Sequence, residues 1–192
     1  MTDLESSSSP RVARRRARTR ERILSTAASL FAARGVDKVT LTDITDEADV
    51  SRGNLYSHFN SKEELVIAVY QPAMEYSMKQ MRKLDGLPPT EAIEGILRVH
   101  TEVWHKFPGT LLVMYQLKDA ATEEVASGHE RQSQDVISVF QQAADMNLLR
   151  MEPELAKNIV DIIGVPLLEL AQEEPDPDAF FVESMLRLLL ND

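Results

Sequence analysis

Ile23, Ala27, Leu30 and Phe31 stand at i, i+4, i+7 and i+8. That spacing places all four on one face of an α-helix but would scatter them over both faces of a strand. Nowhere in the 192 residues does apolar–polar alternation run at the period of a strand for any useful length, and no segment repeats. The pattern confines the chain to an all-α fold. After the first helix, about 19–34, Gly35 is placed to end it in the left-handed region. Thr40 reads as the N-cap of a short second helix, with Asp43 three residues on and Leu41, Ile44 and Ala48 facing inward. Ser51 can cap a third helix through about His58. Ser61 and Glu64 form the two ends of a capping box that opens a fourth.

The period continues as a series of helices. They span about 61–84 with a kink at Pro72, about 90–106 capped by Thr90, 110–120, about 122–146, about 153–172, and 178–190. A disturbance is expected at Gly164-Val-Pro166. Pro153 suits the first position of its helix.

Charge is unevenly divided. Residues 1–62 carry 11 Lys and Arg against 8 Asp and Glu, a net +3, inside a chain whose net charge is −10. The remainder is therefore strongly acidic. A basic end on an acidic body fits contact with a polyanion at one end only, or else a solvated tail on an acidic surface. There is no cysteine, which removes disulfides and cysteine metal sites and fits a reducing cytoplasm. No apolar run approaches the roughly 18 residues of a membrane helix. Nor does the Ser- and Arg-rich start resemble a secretory signal. The expected location is cytoplasmic, with no membrane contact.

The span 40–58 has the lengths and caps of a helix-turn-helix, in which the second helix offers its first residues to base edges in the major groove. Those residues are Ser51, Arg52, Gly53 and Asn54. Arginine can bond guanine bidentately and asparagine can bond adenine. Glycine keeps the helix start slim, and Leu55 and Phe59 point inward. Tyr56, His58 and Lys62 suit phosphate oxygens, contacts that position without reading sequence. Ordinary surface polarity on a small helical bundle is the competing reading of these residues.

Residues 20–69 resemble the DNA-binding domain of the TetR family of transcriptional regulators. The resemblance rests on R-x-x-I-L-x-x-A-A-x-L-F-A-x-x-G at 20–35, V-T-L-T-D-I at 39–44, A-x-V-S-R-G-N-L-Y-S-H-F at 48–59 and S-K-E-E-L at 61–65. It implies a homodimeric regulator whose first three helices bind DNA and whose larger helical body senses a ligand. Recognition contacts then fall on Arg52, Gly53 and Asn54, phosphate contacts on Tyr56 and Lys62, and contacts from the start of the second helix on Thr40 and Thr42. Two positions depart from the common pattern. Ala48-Asp49 replaces Ala-Gly at the bend, where Asp tolerates the left-handed conformation with some strain and adds a negative charge. Thr45 stands where many members carry Ala.

The expected organisation is a disordered basic arm at 1–18, a helix-turn-helix domain at 19–62 and a sensing and dimerisation domain at 63–192. The arm, with Arg14, Arg15, Arg16, Arg18 and Arg20, can enter an adjacent minor groove or remain a solvated tail. In the body, Met74, Met78, Met81, Val99, Trp104, Phe107, Met114 and Tyr115 are candidates for an apolar effector pocket, with His100 and Tyr115 as polar anchors; each also fits an ordinary core. His100 and His105 are five apart and share no helix face, and His129 is isolated, so no metal site is expected. No catalytic constellation or cofactor fingerprint occurs. The helices at 153–172 and 178–190, eighth and ninth in this reading, carry more apolar surface than one body can bury. The resemblance implies that they pair across a homodimer. The expectation is a ligand-responsive repressor on a pseudo-palindromic operator. An activator of the same fold and a ligand-binding protein with vestigial DNA binding are the alternatives.

Overall fold

The computed structural model describes residues 10–111, 113 and 123–191, the side chains of 123–132 excepted. The described residues hold eight α-helices and no strand; one isolated bridge joins Leu149 to Leu190. The chain divides into two compact units, residues 1–69 and 70–192. The division falls seven residues later than the expected start of the sensing domain, because it lies inside a helix rather than at a loop.

The first unit begins with α1, Pro10–Arg34. The expected arm is therefore helical from Pro10, a correction to the reading of 11–18 as disordered. Proline is at home in the first turn, and the Ala and Arg that follow favour helix and contain no breaker. None of these residues is buried before Ile23, so apolar periodicity had no means of marking them. Residues 1–9 of the expected arm lie outside the described residues. Ile23, Ala27, Leu30 and Phe31 are the buried stripe of α1. Gly35, at φ 88°, ends it with its N–H on the Phe31 carbonyl at 2.9 Å.

α2 spans Leu41–Glu47 and opens with a complete capping box between Thr40 and Asp43. Asp49 makes the bend with φ 48°, the left-handed conformation expected of it. α3, Arg52–Tyr56, is capped by the Ser51 hydroxyl, which accepts from the Asn54 N–H at 3.2 Å. It stops two residues short of His58, and Phe59 still bonds back to the Leu55 carbonyl at 3.0 Å. α4, Lys62–Met81, starts in this unit and ends in the next. Its N-terminus differs in one detail from the expected box. The Ser61 hydroxyl accepts from the Glu64 N–H as expected, but the Glu64 carboxylate accepts from the backbone and side-chain N–H groups of Asn60, one residue further upstream. Leu55, Phe59 and Leu65 join the α1 stripe and Ile44 in the core.

The second unit is built from α5 (Pro89–Lys106), α6 (Glu123–Asp145), α7 (Pro153–Ala171) and α8 (Pro177–Leu189), with the end of α4 and a 3-10 turn at Arg82–Leu84. α7 and α8 are the eighth and ninth helices of the sequence reading; its sixth, at 110–120, lies mostly outside the described residues. α5 packs on α6 and α8, and α7 packs on both α6 and α8. The core holds Ile93, Ile96, Leu97, Phe140, Leu168 and Phe181.

Three local expectations change. α5 starts with Pro89 at its first position, so Thr90 is inside the helix and caps nothing. α7 is unbroken through Gly164 and Pro166, since Gly164 and Val165 are buried and packing holds the segment helical. α8 starts one residue early, at Pro177, capped by the Asp176 carboxylate, which accepts from Ala179 N–H at 3.0 Å.

Tyr70 is only 3% exposed, and its hydroxyl has no hydrogen-bond partner. Burial pushes the phenol up to about 12. An unpartnered buried hydroxyl forfeits its hydration. Tyr70→Phe keeps the ring and should raise stability by about 1 kcal/mol or more. Equilibrium urea unfolding of the two proteins checks this.

Candidate nucleic-acid interface

α2 is held at its start by Thr40, whose hydroxyl is committed on both sides. It donates to the Asp43 carboxylate at 2.5 Å and accepts from the Asp43 N–H at 3.1 Å. These bonds from Thr40, with Arg34 at 3.9 Å, hold the Asp43 carboxyl below its ordinary range. Thr40 is thus a helix cap, and what it offers a ligand is the exposed end of α2. Thr42 is half-buried one residue into the helix. The hydroxyl of Thr45, buried beside it, donates to the Thr42 carbonyl at 2.9 Å. That is the packing change that Thr45 brings: the hydroxyl that an alanine lacks is satisfied by the helix backbone.

α3 presents Arg52, Gly53, Asn54 and Tyr56 to solvent and buries Leu55. Arg52 Nη2 donates to Thr42 Oγ1 at 2.7 Å. A β-carbon added at Gly53 would meet no heavy atom within 4 Å, so nothing in the free protein asks for glycine there. Tyr56 is 52% exposed, unusual for an aromatic ring on a well-packed unit. His58 is half-buried against Phe59, with ring centres 6.3 Å apart. Burial, then the charges of Arg16 and Arg20, lower its pKa, so it stays neutral near pH 7 and can donate one N–H. Lys62 is the first residue of α4, half-buried at its base.

The arginines before Ile23 brace this arrangement. Arg16 Nη2 donates to the Ser57 carbonyl, at the C-cap of α3, at 2.9 Å. Arg20 lies over the Phe59 ring, 5.1 Å from its centre. Arg22 Nη2 donates to the carbonyl of Asp49, the left-handed residue of the bend, at 3.2 Å. Arg16, expected to meet DNA, is exposed and bonded to α3, and Arg18 is exposed as well. Sequence reasoning missed the bracing by Arg16, Arg20 and Arg22. A signal existed: 16, 20, 23 and 27 lie on one helical stripe, so Arg16 and Arg20 continue the buried face of α1 upstream.

In the second unit a cavity of about 300 Å³ lies between the end of α4, the turn after it, the start of α5 and α6. Met78 and Met81 line it, with Leu84, Leu87, Ile96 and Val139 completing its apolar walls. Arg82, Asp85 and Asp135 supply charge. His100, Trp104 and Phe107 are not in its lining, and neither are Met74 and Val99, which are core residues. The cavity sits at the first two turns of α5, whereas Val99, His100, Trp104 and Phe107 lie about three to five turns from its start, and Met74 lies a turn earlier on α4 than Met78. His100 Nδ1 instead faces the Ile96 carbonyl at 2.9 Å, and burial lowers its pKa. The Phe107 ring centre is 5.7 Å from that of Tyr76, which Lys106 covers at 4.3 Å. Met114 and Tyr115 lie outside the described residues. The residues missed, Leu84 to Leu87, belong to a segment whose Gly and Pro read only as a loop. Among the described residues no group of three or more His, Asp or Glu could hold a metal ion, and no helix is long and apolar enough to cross a membrane.

A three-helix unit with a capped, outward-facing second helix in its turn motif defines a helix-turn-helix protein. Residues 23–69 match the family described as bacterial regulatory proteins, tetR family. The match covers the helix-turn-helix unit, 47 of the 192 residues. It is 38% identical over 88 residues to the HTH-type transcriptional repressor KstR2 of Mycolicibacterium smegmatis, covering 39% of this chain and 43% of that one. It is 44% identical over 118 residues to the probable acrEF/envCD operon repressor of Escherichia coli, covering 58% and 53%. The chain thus spans about half the length of these curated relatives. The fold is shared with the crystal structure of AibR in complex with isovaleryl coenzyme A and operator DNA, at a TM-score of 0.66 and 18% identity, over 89% of this chain and 97% of that one.

Two outcomes follow from this geometry. Gly53→Ala should stabilise the unit by about 0.4–1 kcal/mol, because the unfolded chain loses freedom and no contact is strained, yet weaken binding to duplex DNA. Thermal melting and fluorescence anisotropy on the same sample separate the two effects. His58 and His100 both have folded pKa values below the ordinary 6.5, so below that pH the unfolded chain binds more protons. Stability should be fully present above pH 6.5 and fall as pH drops through the window beneath it. Unfolding midpoints from pH 7.5 to 5 check this, and His58→Gln should flatten the slope.

Proposed function

We propose that this protein is a ligand-responsive transcriptional repressor that binds a pseudo-palindromic operator as a homodimer and is released by a small-molecule effector. The observation that carries the reading is α3. Its first residues, Arg52, Gly53 and Asn54, are exposed on a short helix whose every other feature is fixed by caps and core. Arg52 and Asn54 are the residue types that read guanine and adenine. Tyr56, His58 and Lys62, with Thr42 and the amides at the start of α2, serve the phosphates. Arg18 and the outer face of the α1 extension add charge toward the backbone, a contribution that should appear as salt dependence. Repression is favoured by the names of the relatives, two of which are repressors.

Dimerisation is assigned to α7 and α8. Ile162 and Leu170 are 72% and 70% exposed on α7, with Leu155 beside them, and α8 adds Phe180 and Leu188. A helical pair with so much uncovered apolar surface suits an isologous contact with a second copy. Two-fold symmetry then sets the recognition helices about 34–36 Å apart, on successive major grooves. The effector is assigned to the cavity at Met78 and Met81, whose size is at the lower end of small-molecule sites, roughly 300–1,000 Å³. An effector that prefers a state with another spacing draws the population away from DNA. α4, the helix shared by both units, is the lever.

The test is fluorescence-anisotropy binding to duplex from upstream of its own gene, across a salt series, against a scrambled duplex. Tight, salt-steep, selective binding supports the reading; equal weak binding to both, with no sequence enriched from genomic fragments, overturns it. Arg52→Ala should cost about 1–3 kcal/mol and relax the preference at one base pair per half-site. Lys62→Ala should weaken all duplexes alike. Ile162→Glu with Leu170→Glu should give a monomer by sedimentation and abolish selective binding.

A further inference from the structure

We infer that Thr42 is a positioning residue for base readout. From α2 it presets the Arg52 guanidinium, so that preference for one base pair is a property of the Thr42–Arg52 pair and not of Arg52 alone. This rests on the DNA-binding reading above and goes beyond the phosphate role given to Thr42 there.

The geometry carries it. Arg52 is exposed, with a long side chain that would sample many rotamers in water. Its Nη2 nevertheless donates to Thr42 Oγ1 at 2.7 Å, across the bend of the helix-turn-helix. The acceptor is itself restrained. Thr42 is half-buried, its β-branched side chain has fewer rotamers open to it in a helix than an unbranched one, and its backbone carbonyl takes the Thr45 hydroxyl at 2.9 Å. Two caps fix the frame on either side: Thr40 with Asp43 at α2, and Ser51 with Asn54 at α3. The bend between them is tied by Arg22 to the Asp49 carbonyl.

The chemistry leaves the reading edge available. A guanidinium has five N–H donors in a planar fork, and a bidentate contact uses two on one edge. Nη2 carries one hydrogen on each of two edges. The bond to Thr42 occupies one of these, so one complete edge remains for guanine O6 and N7. The plane of the group is then set before DNA arrives, which removes ordering entropy from the binding step and penalises a base whose acceptors lie elsewhere. The Thr42 hydroxyl also keeps its own hydrogen, which can go to a phosphate while its oxygen accepts from Arg52. One side chain then couples position on the backbone to the reading of a base.

The experiment uses full-length protein and a duplex recovered from a random-sequence library by selection with the wild type, permuted at every base pair. Thr42→Val removes the acceptor and keeps the shape. It should reduce discrimination at the base pair read by Arg52 by about fivefold or more, over and above any loss of affinity shared by all duplexes, with the melting temperature unchanged. Thr42→Ser should restore discrimination. In an Arg52→Ala background, Thr42→Val should change discrimination no further. Full discrimination by Thr42→Val, or a loss that persists additively in the Arg52→Ala background, overturns the positioning role alone. A library from which the wild type enriches no sequence instead removes the DNA-binding reading, and this inference with it.

Discussion

A helix of five residues does not stand in water, because nucleation costs more than its few hydrogen bonds return. α3 stands because Leu55 and Phe59, one turn apart, are buried in the core of the first unit. Everything offered to solvent at this end depends on that anchoring. With Leu55 inward, Arg52, Gly53, Asn54 and Tyr56 have no choice but to face out. The Ser51 cap sets where the helix begins, and the Phe59 amide on the Leu55 carbonyl sets where it ends. The outward surface is therefore held in place although the helix is too short to be stable by itself.

The arginines of α1 divide into two kinds. Arg16, Arg20 and Arg22 are turned toward the unit, where they hold the C-cap of α3, the Phe59 ring and the carbonyl of the bend. Each of these targets is a place where regular backbone stops and carbonyls or ring faces are left without helical partners. Arg18 faces solvent and remains available to a polyanion. A basic segment that reads as a single electrostatic feature is thus partly a scaffold. Charge removed from it would act on the shape of α3 as well as on attraction to DNA.

The second unit follows a different logic. Its core is made by α5 packed on α6 and α8, with α7 against both, and the surface left uncovered is as informative as the core. Apolar side chains remain in water on α7 and α8, while a cavity opens where α4 ends and α5 begins. Gly95 explains part of that corner. A β-carbon there would come within 2.4 Å of Leu84, so glycine in the middle of α5 lets the turn after α4 lie close against it. Under the proposed function, the apolar face of α7 and α8 would meet a second copy and the cavity a small molecule.

The sequence by itself determined most of the described helices, the caps at Thr40 and Ser51 and the identity of the outward residues of α3. Those features are local: a stripe at helical spacing, a hydroxyl before a helix, an aspartate that tolerates positive φ at a bend. Family motifs at 20–65 were legible for the same reason, being dense and collinear. Only the tertiary structure decided that the basic segment is helix, that Arg16 and Arg22 bind backbone carbonyls 41 and 27 residues away, and that Arg52 rests on Thr42. It also opened a cavity at the start of α5. These are relations between distant residues: the stripe through 16, 20, 23 and 27 tells which side of α1 Arg16 lies on, but not which carbonyl it meets. The physical division is between what a residue's immediate neighbours dictate, which can be read along the chain, and what burial makes neighbours of, which depends on how the helices pack.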